Sequence, residues 1–368
     1  MTSLRRAKGS GSVRKRGNAW QIRYLAPPDK YGNRKHVCET VQGLRKDADR
    51  LLRQRTGSVE NGLYLEKTQE TLQQYLQFWL NTYSAHNTSL RTHQGYRGNI
   101  DRYIVPAIGS IPLQSLKAHH IQEMETNLLE KGLSGTTVLH VHRIVKQALN
   151  HAVQWEKLSR NPAWGIKAPR PEKKTITMWD LATINRFRAL AANSKNRDFF
   201  ELALTTGMRR SEISGLKWDA VDTDRRVLMV VRTLQRITGM GLVEGVPKTA
   251  KSQRSIDLGK DAVELLNRIR INQAETRLKL GGLWEDQGFV FTLETGRPID
   301  PDEVTNEFRD LVRDNSLPHL TFHGLRHAHA TLLLSSGMQP KVISERLGHS
   351  NISITMDIYS HVLPSLQR

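Results

Sequence analysis

Apolar and polar residues alternate near the start of the chain. In the segment 19–25, Trp20, Ile22 and Tyr24 share one side of an extended backbone, which is the period of a half-buried β-strand. A second run of this kind and a short basic helix follow, and the unit ends near Asn61-Gly62. The pattern predicts these elements at 19–25, 34–41 and 44–55.

Beyond residue 70 the apolar positions recur every three or four residues, as in amphipathic helices. Four such runs predict a compact domain of four helices. Pro106 is expected to end the second helix, and Gly132 the third. We assign these apolar side chains to the core of the domain rather than to nucleobase stacking. The four faces are Leu72, Tyr75, Leu76 and Trp79; Tyr96, Ile100, Tyr103 and Ile104; Ile121, Met124 and Leu128; and Val138, Val141, Val145, Leu149 and Ala152.

The rest of the chain follows a basic segment at 167–174, which we expect to be an extended linker. A glycine cluster at Gly239, Gly241 and Gly245 lacks the spacing of a phosphate-binding loop and is interpreted as a hairpin loop. Helical and strand-like patterns otherwise alternate in this block. Helices are predicted at 179–191, 197–205, 211–216, 260–280, 301–315, 325–336, 340–347 and 352–359, and β-like runs at 227–234, 254–258 and 289–292.

The amino-acid composition indicates what kind of molecule the protein binds. The chain has 368 residues, 55 Lys+Arg against 36 Asp+Glu, and a net charge of +19. Residues 1–60 hold 15 basic and 5 acidic residues, so more than half of the excess lies in the first sixth of the chain. A merely solvated charged face would not need this asymmetry, which favours a polyanionic partner. The single cysteine, Cys38, excludes an intrachain disulfide framework. No secretion signal or membrane-spanning stretch is evident, so we expect a cytoplasmic protein.

Four short segments and one tyrosine carry candidate chemistry. The tyrosine, Tyr359, lies ten residues beyond the last segment. The segments are Thr206-Gly207-Met208-Arg209-Arg210-Ser211-Glu212, Pro247-Lys248-Thr249-Ala250-Lys251-Ser252-Gln253-Arg254, His323-Gly324-Leu325-Arg326-His327 and Leu347-Gly348-His349.

The side chains in these segments fit a reaction at phosphorus. Arg209 and Arg326 supply two forked guanidinium groups for phosphate oxygens. His323 and His349 can donate hydrogen bonds to the same oxygens or move a proton.

A nucleophile and an acid complete the set. Lys248 can protonate a leaving alkoxide, and the phenol of Tyr359 is a competent nucleophile once deprotonated. Its usual pKa of about 10 means that a cationic neighbourhood has to favour the phenolate. Because arginines can neutralise the charge that Mg²⁺ neutralises elsewhere, we expect no metal and no cofactor.

A zinc site is the alternative interpretation of the histidine pair His323 and His327. Gly324 lies where a zinc-protease motif needs glutamate, Arg326 between the histidines would repel a cation, and cysteine ligands are lacking. The sequence therefore argues against zinc.

The order and spacing of these segments resemble the tyrosine recombinases of the phage-integrase type. The family's first arginine box, its Lys-Thr-x-x-Ser-x-Arg strand, its His-x-x-Arg-His box, its Leu-Gly-His segment and its Tyr-x-His segment all have counterparts here. The resemblance implies Tyr359 as nucleophile, Arg209 and Arg326 as phosphate clamps, and Lys248 as general acid. It implies His323 and His349 as proton-transfer or hydrogen-bonding partners, with Glu212 and His327 as supports behind them.

The resemblance extends over essentially the whole chain and implies a multidomain, mainly α protein. It implies a small α+β domain at 1–62 with a three-stranded sheet and a helix, which reads arm-type DNA. It further implies a four-helix core-binding domain at 68–165, and a mixed, mainly α catalytic domain with a small β-sheet at 175–368. In the first domain, the candidate DNA contacts are Arg14, Lys15, Arg16, Gln21 and Arg23.

The expected function is site-specific cutting and rejoining of DNA through a 3′-phosphotyrosyl ester, which integrates or excises a mobile element such as a prophage. The expected partners are double-stranded DNA with core and arm attachment sites, a homotetramer on DNA, and accessory DNA-bending or excision factors. No membrane partner is expected. Two alternatives stay open at this point: a topoisomerase-like enzyme that reseals the same strand, and a catalytically silent DNA-binding accessory protein.

Overall fold

The computed structural model describes residues 11–28, 31–62, 64–172, 178–247, 252–349, 351–353 and 355–356. The chain divides into two compact units, Met1–Lys173 and Lys174–Arg368. Several sequence-based assignments lie outside the described residues: the basic segment before Gly11, the end of the linker, Lys248, the end of the helix predicted at 352–359, and Tyr359. The finer division into three domains stays a prediction.

A three-stranded antiparallel sheet in the order β1-β2-β3, followed by a helix, opens the first unit and confirms the expected α+β arrangement. The helix packs on one face of the sheet, where Ile22 and Tyr24 meet Ala48 and Leu52 in a small apolar cluster. The first strand has the sequence SVRKR, with Val13 as its one apolar residue, so alternation alone did not reveal it. The elements are β1 Ser12–Arg16, β2 Ala19–Leu25, β3 His36–Gln42 and α1 Arg45–Glu60.

The helices of the second half of this unit bury the faces predicted for them. Leu72, Leu76 and Trp79 are fully buried, and they pack with Val141 and Leu149 in one apolar cluster. The α-helices are α2 Leu72–Trp79, α3 Ala85–Asn87, α4 Leu90–Asn99, α5 Val105–Ile108, α6 Ala118–Glu130 and α7 Gly135–Gln154, with π-helical turns at Leu80–Ser84 and Ile100–Ile104.

The prediction that Pro106 ends the second helix is wrong. The helical path runs through the π-helical turn Ile100–Ile104 and on to Ile108. Pro106 lies in the first turn of α5, where the N–H that proline lacks has no essential partner. The proline is therefore accommodated by a change of helical hydrogen-bond pattern.

The second unit is mainly helical around a large apolar cluster, with a three-stranded sheet in the order β4-β5-β8 and a β6–β7 hairpin. Thr233 pairs with Gly245 in the hairpin, so the glycine cluster does lie in a hairpin. The helices are α8 Leu181–Leu190, α9 Arg197–Thr206, α10 Arg210–Ser214, α11 Lys260–Leu280, α12 Pro301–Asp314, α13 Phe322–Ser335 and α14 Pro340–Leu347; the strands are β4 Val221–Asp222, β5 Val227–Val230, β6 Thr233–Ile237, β7 Gly241–Gly245 and β8 Arg254–Asp257.

Two predicted β segments differ from the structure. The run 227–234 divides into β5, which pairs with β4 and β8, and β6, which pairs with β7. The run 289–292 makes only isolated bridges, Lys217 with Phe289 and Thr292 with Pro298. A local apolar run records burial but not the pairing partner, and for this reason both segments were predicted as single strands.

Candidate active site

The first arginine box follows a sharp helix end. Helix α9 stops at Gly207, whose φ of +66° lies in the left-handed region. A Cβ at Gly207 would lie 2.6 Å from side-chain atoms of both His329 and Leu347. Glycine is therefore required both by its conformation and by the close packing. The turn delivers Arg209 to the start of α10.

Three successive carbonyl groups at the end of α14 each accept a hydrogen bond from a different arginine. Arg254 Nε donates to the carbonyl of residue 346 at 2.6 Å, Arg326 Nη2 donates to that of Leu347, and Arg209 Nη2 donates to that of Gly348 at 3.1 Å. The last carbonyls of a helix lack partners within the helix and carry its negative dipole end. The end of α14 therefore gathers three cations in one place, which we call the arginine cluster (Arg209, Arg254 and Arg326).

Glu212 joins two members of the arginine cluster. Its carboxylate accepts from Arg209 Nη1 at 2.6 Å and from Arg254 Nη2 at 2.9 Å, and it also accepts from the Arg209 backbone N–H at 2.9 Å. Glu212 is 2% exposed. Burial alone would raise the pKa of this carboxyl, but the hydrogen bond and charge of Arg254, with the charge of Arg209, hold the pKa below its usual value. Glu212 is therefore ionised and orients both arginines.

Arg326 is almost completely buried, at 2% exposure. Its Nη1 donates to the carbonyl of Gly207 at 2.8 Å, so helix ends from α9 and α14 hold its two terminal nitrogens. Burial, together with the neighbouring charge of Arg209, lowers the pKa of Arg326 to about 9. The guanidinium stays charged at neutral pH, in a position where an additional anion would be strongly attracted.

The predicted histidines lie within the electrostatic reach of these arginines. Desolvation of the ring first, then the charges of His327 and Arg326, lowers the pKa of His323 to about 4, although part of the residue is exposed. Burial first, then the charges of Arg326 and Arg209, lowers the pKa of His349 to about 3. Both rings are therefore neutral at pH 7 in the free protein. A bound phosphate anion would oppose these shifts and make each ring a better proton acceptor.

The remaining histidine of the box, His327, lies behind His323. The ring centroids of the two are 5.0 Å apart in a T-shaped arrangement. Within the described part of the chain, the buried Nδ1 of His327 has no hydrogen-bond partner. The supporting role of His327, which the family resemblance implies, stays a prediction.

The sequence motifs contain Arg254 but do not mark it as a site residue. They do not contain Thr355. Arg254 closes the Lys-Thr-x-x-Ser-x-Arg strand, which was the available signal. Thr355 is fully buried, and its Oγ1 lies 2.8 Å from Nδ1 of His349. If the hydroxyl donates to Nδ1, then Nε2 of a neutral His349 carries the proton and can act as a hydrogen-bond donor. No motif pointed to Thr355.

Four of the six predicted catalytic residues, Arg209, His323, Arg326 and His349, are thus brought together. The other two, Lys248 and Tyr359, lie outside the described residues. Among the residues that are described, no group of three or more histidine, cysteine or carboxylate side chains is placed to hold a metal ion. In the same residues, no helix is long and apolar enough to cross a membrane.

The candidate DNA contacts of the first domain occupy two faces of the sheet. Residues paired directly across antiparallel strands share a face, so Arg14 lies on the same side as its partner Gln21. Arg16 and Arg23 share this side by alternation, and α1 covers the other one. We call the uncovered side the open face. Lys15 pairs with Trp20 and therefore lies on the helix side, apart from the other four residues.

Family models match most of the chain. The model of the phage integrase family matches residues 175–365, and that of the phage integrase N-terminal SAM-like domain matches residues 71–129. A tyrosine recombinase XerC-like protein of Caldanaerobacter subterraneus subsp. tengcongensis is 29% identical over 338 residues, covering 87% of this chain and 86% of that protein. The ICEBs1 integrase of Bacillus subtilis is 26% identical over 278 residues, covering 75% of each chain.

Solved structures agree with this assignment. The integrase of transposon Tn1549, in complex with a circular intermediate DNA, has a TM-score of 0.68 and 25% identity, covering 78% of this chain and 95% of that chain. The lambda integrase tetramer bound to a Holliday junction has a TM-score of 0.60 and 17% identity, covering 96% of each chain, and supports the fold. The chain therefore belongs to the phage integrase family and is a tyrosine recombinase of the integrase type.

Proposed function

We propose that this protein cuts and rejoins DNA at specific sites with Tyr359 as the nucleophile, integrating and excising a mobile element. The observation that carries this proposal is the arginine cluster at the end of α14, where Arg209 and Arg326 are fixed beside His323 and His349. A cationic site of this kind suits a phosphodiester and requires no metal for charge neutralisation.

The charge balance of the cluster suits the transition state. Arg209, Arg254 and Arg326 carry three positive charges, and Glu212 carries one negative charge. Attack by a phenolate on a phosphodiester gathers two negative charges around phosphorus. The net two positive charges of these four side chains match this value and favour the transition state over the singly charged ground state.

The arginines also retain hydrogen-bonding capacity. A guanidinium has five N–H donors, and the contacts of Arg209 and Arg326 to described residues occupy two terminal nitrogens in each case. The remaining donors can bind the non-bridging oxygens of the scissile phosphate.

The reaction proceeds by two transesterifications. Tyr359 loses its proton and attacks the phosphorus, the bond to the 5′ oxygen breaks, and Lys248 gives a proton to that oxygen. The 5′-hydroxyl of a partner strand then attacks the 3′-phosphotyrosyl ester and releases the tyrosine. The number of phosphoester bonds is conserved, so no nucleotide cofactor is consumed. His323 and His349, which are neutral in the free protein, are suited to donate hydrogen bonds or to accept the phenol proton.

Exchange of strands between two duplexes needs four cleavages, so we propose a homotetramer on DNA. The lambda integrase structure named above is such a tetramer on a Holliday junction. We further propose that the sheet with its open face binds arm-type sites, that the helical domain at 68–165 and the catalytic domain bind core sites, and that accessory DNA-bending or excision factors set the direction. The location is the bacterial cytoplasm, with the protein on DNA while it acts.

Substitution of Tyr359 by phenylalanine tests the nucleophile. The change deletes one hydroxyl, so we expect covalent protein–DNA adducts on a labelled core-site duplex to disappear while the Kd for DNA changes less than about threefold. Adducts are counted after denaturing electrophoresis, in buffer containing EDTA. An adduct at wild-type yield in Tyr359→Phe would refute the assignment, and strict dependence of cleavage on a divalent ion would point to a nuclease.

A further inference from the structure

The side chain of Arg346 connects four parts of the second unit. Arg346 lies on α14, immediately before the last residue of that helix. Its Nη1 donates to the carbonyl of Asp257 in β8 at 2.9 Å, and its Nη2 donates to the carbonyl of Thr205 in α9 at 3.3 Å. Its Nε donates to Nε2 of His329 in α13 at 3.3 Å. One guanidinium thus ties α14 to two helices and a strand.

His329 is the buried partner of this arginine, at 4% exposure. Its Nδ1 lies 2.7 Å from the carbonyl of Leu204, and its Nε2 accepts from Arg346, which together define a neutral ring protonated at Nδ1. The ring also fills the space beside Gly207, where a Cβ would lie 2.6 Å from it. His329 therefore contacts the turn whose carbonyl holds Arg326.

The same short segment of backbone holds the arginine cluster. The carbonyl of Arg346 itself accepts from Arg254, and the next two carbonyls accept from Arg326 and Arg209. A shift of this segment would move all three guanidiniums together. The two bonds of Arg346 to α9 and β8 end on main-chain carbonyls and so fix the segment relative to the backbone of both elements.

We propose that Arg346 and His329 are positioning residues of this recombinase: together they fix the end of α14 so that its three carbonyls hold Arg209, Arg254 and Arg326 in the geometry for transition-state binding. This inference rests on the proposed function. Neither residue needs to touch the scissile phosphate, because both act through the arginine cluster.

The first test is the effect of Arg346→Met on single-turnover cleavage of a core-site duplex. Misplacement of catalytic groups by about 1 Å lowers rates by about 100-fold, so we expect a loss of roughly 10- to 100-fold with little change in the Kd for DNA. Arg346→Lys keeps the charge but cannot reach three acceptors at once, so its loss should be intermediate.

A substrate without charge at phosphorus distinguishes misplaced arginines from partial unfolding of the protein. In a methylphosphonate diester, a methyl group replaces one charged oxygen at phosphorus, so the transition state needs less positive charge from the protein. If Arg346 acts through the arginine cluster, then the rate loss in Arg346→Met should be at least fivefold smaller on the methylphosphonate than on the phosphodiester. A protein that is only partly folded would lose the same factor on both substrates.

A double-mutant cycle tests the pairing with His329. His329→Gln retains an acceptor for Arg346 and should cleave faster than His329→Phe, which retains none. In the His329→Phe background, removal of Arg346 should cost much less than in the wild type, because the two residues act as a unit. If the rate loss of the double variant equals the product of the two single losses, then the two residues do not act as a unit, which would overturn the proposed pairing of Arg346 with His329.

Arg188→Met is the matched control, because Arg188 makes two hydrogen bonds to Glu201 in the same unit, at 3.0 and 2.7 Å, and has no contact with the arginine cluster. The stability of every variant is measured by thermal unfolding. If Arg346→Met does not fold, then the rate losses on the two substrates are compared in Arg346→Lys and His329→Gln instead. Equal losses on the two substrates, or a loss no larger than that of Arg188→Met at matched folded fraction, would overturn the inference. Adduct formation by the wild type and its absence in Tyr359→Phe test the proposed function separately in the same assay.

Discussion

At the scale of single residues, the buried histidines of the second unit couple stability to pH. Burial first, then the charge of Arg346, lowers the pKa of His329 to about 4, whereas an unfolded histidine titrates near 6.5. Between these two values the unfolded chain binds a proton that the folded chain does not. The free energy of unfolding therefore falls as the pH drops through this window, by about 1.4 kcal/mol per pH unit for one such group.

The corresponding prediction concerns His329→Gln. Glutamine cannot take up the proton. Between pH 6 and 4.5, the free energy of unfolding of the variant, measured by urea unfolding, should therefore fall less steeply with pH than that of the wild type, by about 1.4 kcal/mol per pH unit. His119→Gln, at an exposed position of the other unit, controls for the loss of a histidine as such. Identical slopes in the wild type and in His329→Gln would contradict the prediction.

At the scale of elements, the strand register of the N-terminal sheet decides on which of its two faces each basic residue lies. Arg14, Arg16, Gln21 and Arg23 lie on the open face, whereas Lys15 lies beside Trp20 on the side of α1. Arg23 and Lys15 are both exposed. A sheet that reads DNA through its open face therefore depends on Arg23 more than on Lys15, although the two have equal charge.

We expect Arg23→Ala to weaken binding to arm-site DNA and to lower the log–log salt slope by about 0.9, the contribution of one phosphate contact. Lys15→Ala should change both quantities less. Binding isotherms at several salt concentrations, on arm-site and random duplexes, measure the difference. If the two substitutions weaken binding equally, then the basic strand attracts DNA only through its net charge.

At the scale of the whole molecule, charge and candidate chemistry lie in different parts of the chain. Residues 1–60 carry 15 basic against 5 acidic residues, while the candidate catalytic residues all lie at or beyond Arg209. The apolar cluster under the sheet is separate from that of the helices that follow it. We therefore expect binding of distant arm sites and chemistry at the core site to be separable activities.

Deletion of residues 1–62 should spare cleavage of a short core-site duplex and abolish efficient recombination of full attachment sites. The physical reason is that the deletion removes the sheet proposed to bind arm sites and leaves the arginine cluster intact. Recombination assays over a range of protein concentrations provide the measurement, with random DNA as the binding control. Restoration of normal recombination by more protein would mean that the segment adds only non-specific attraction.

The sequence by itself determined the elements whose signals are local. Periodicity placed the four buried helical faces of the first unit, because a helix that packs on a core repeats its apolar residues every three to four positions. Motif spacing predicted Arg209, His323, Arg326 and His349 as site residues, and the structure brings these four side chains together. The alternation around Trp20, Ile22 and Tyr24 gave the buried face of β2 correctly.

Only the tertiary structure decided how the three arginines of the cluster are held. Their acceptors are main-chain carbonyls, which every residue carries and no sequence pattern marks. The partners are also remote along the chain: Gly348 lies 139 positions after Arg209, and Arg346 lies 92 positions after Arg254. The same reason explains three further features that the sequence did not reveal. These are the strand β1, the division of the run 227–234 between two sheets, and the side of the sheet on which Lys15 lies. Each depends on which segments meet in space, and a local pattern records burial but not the partner.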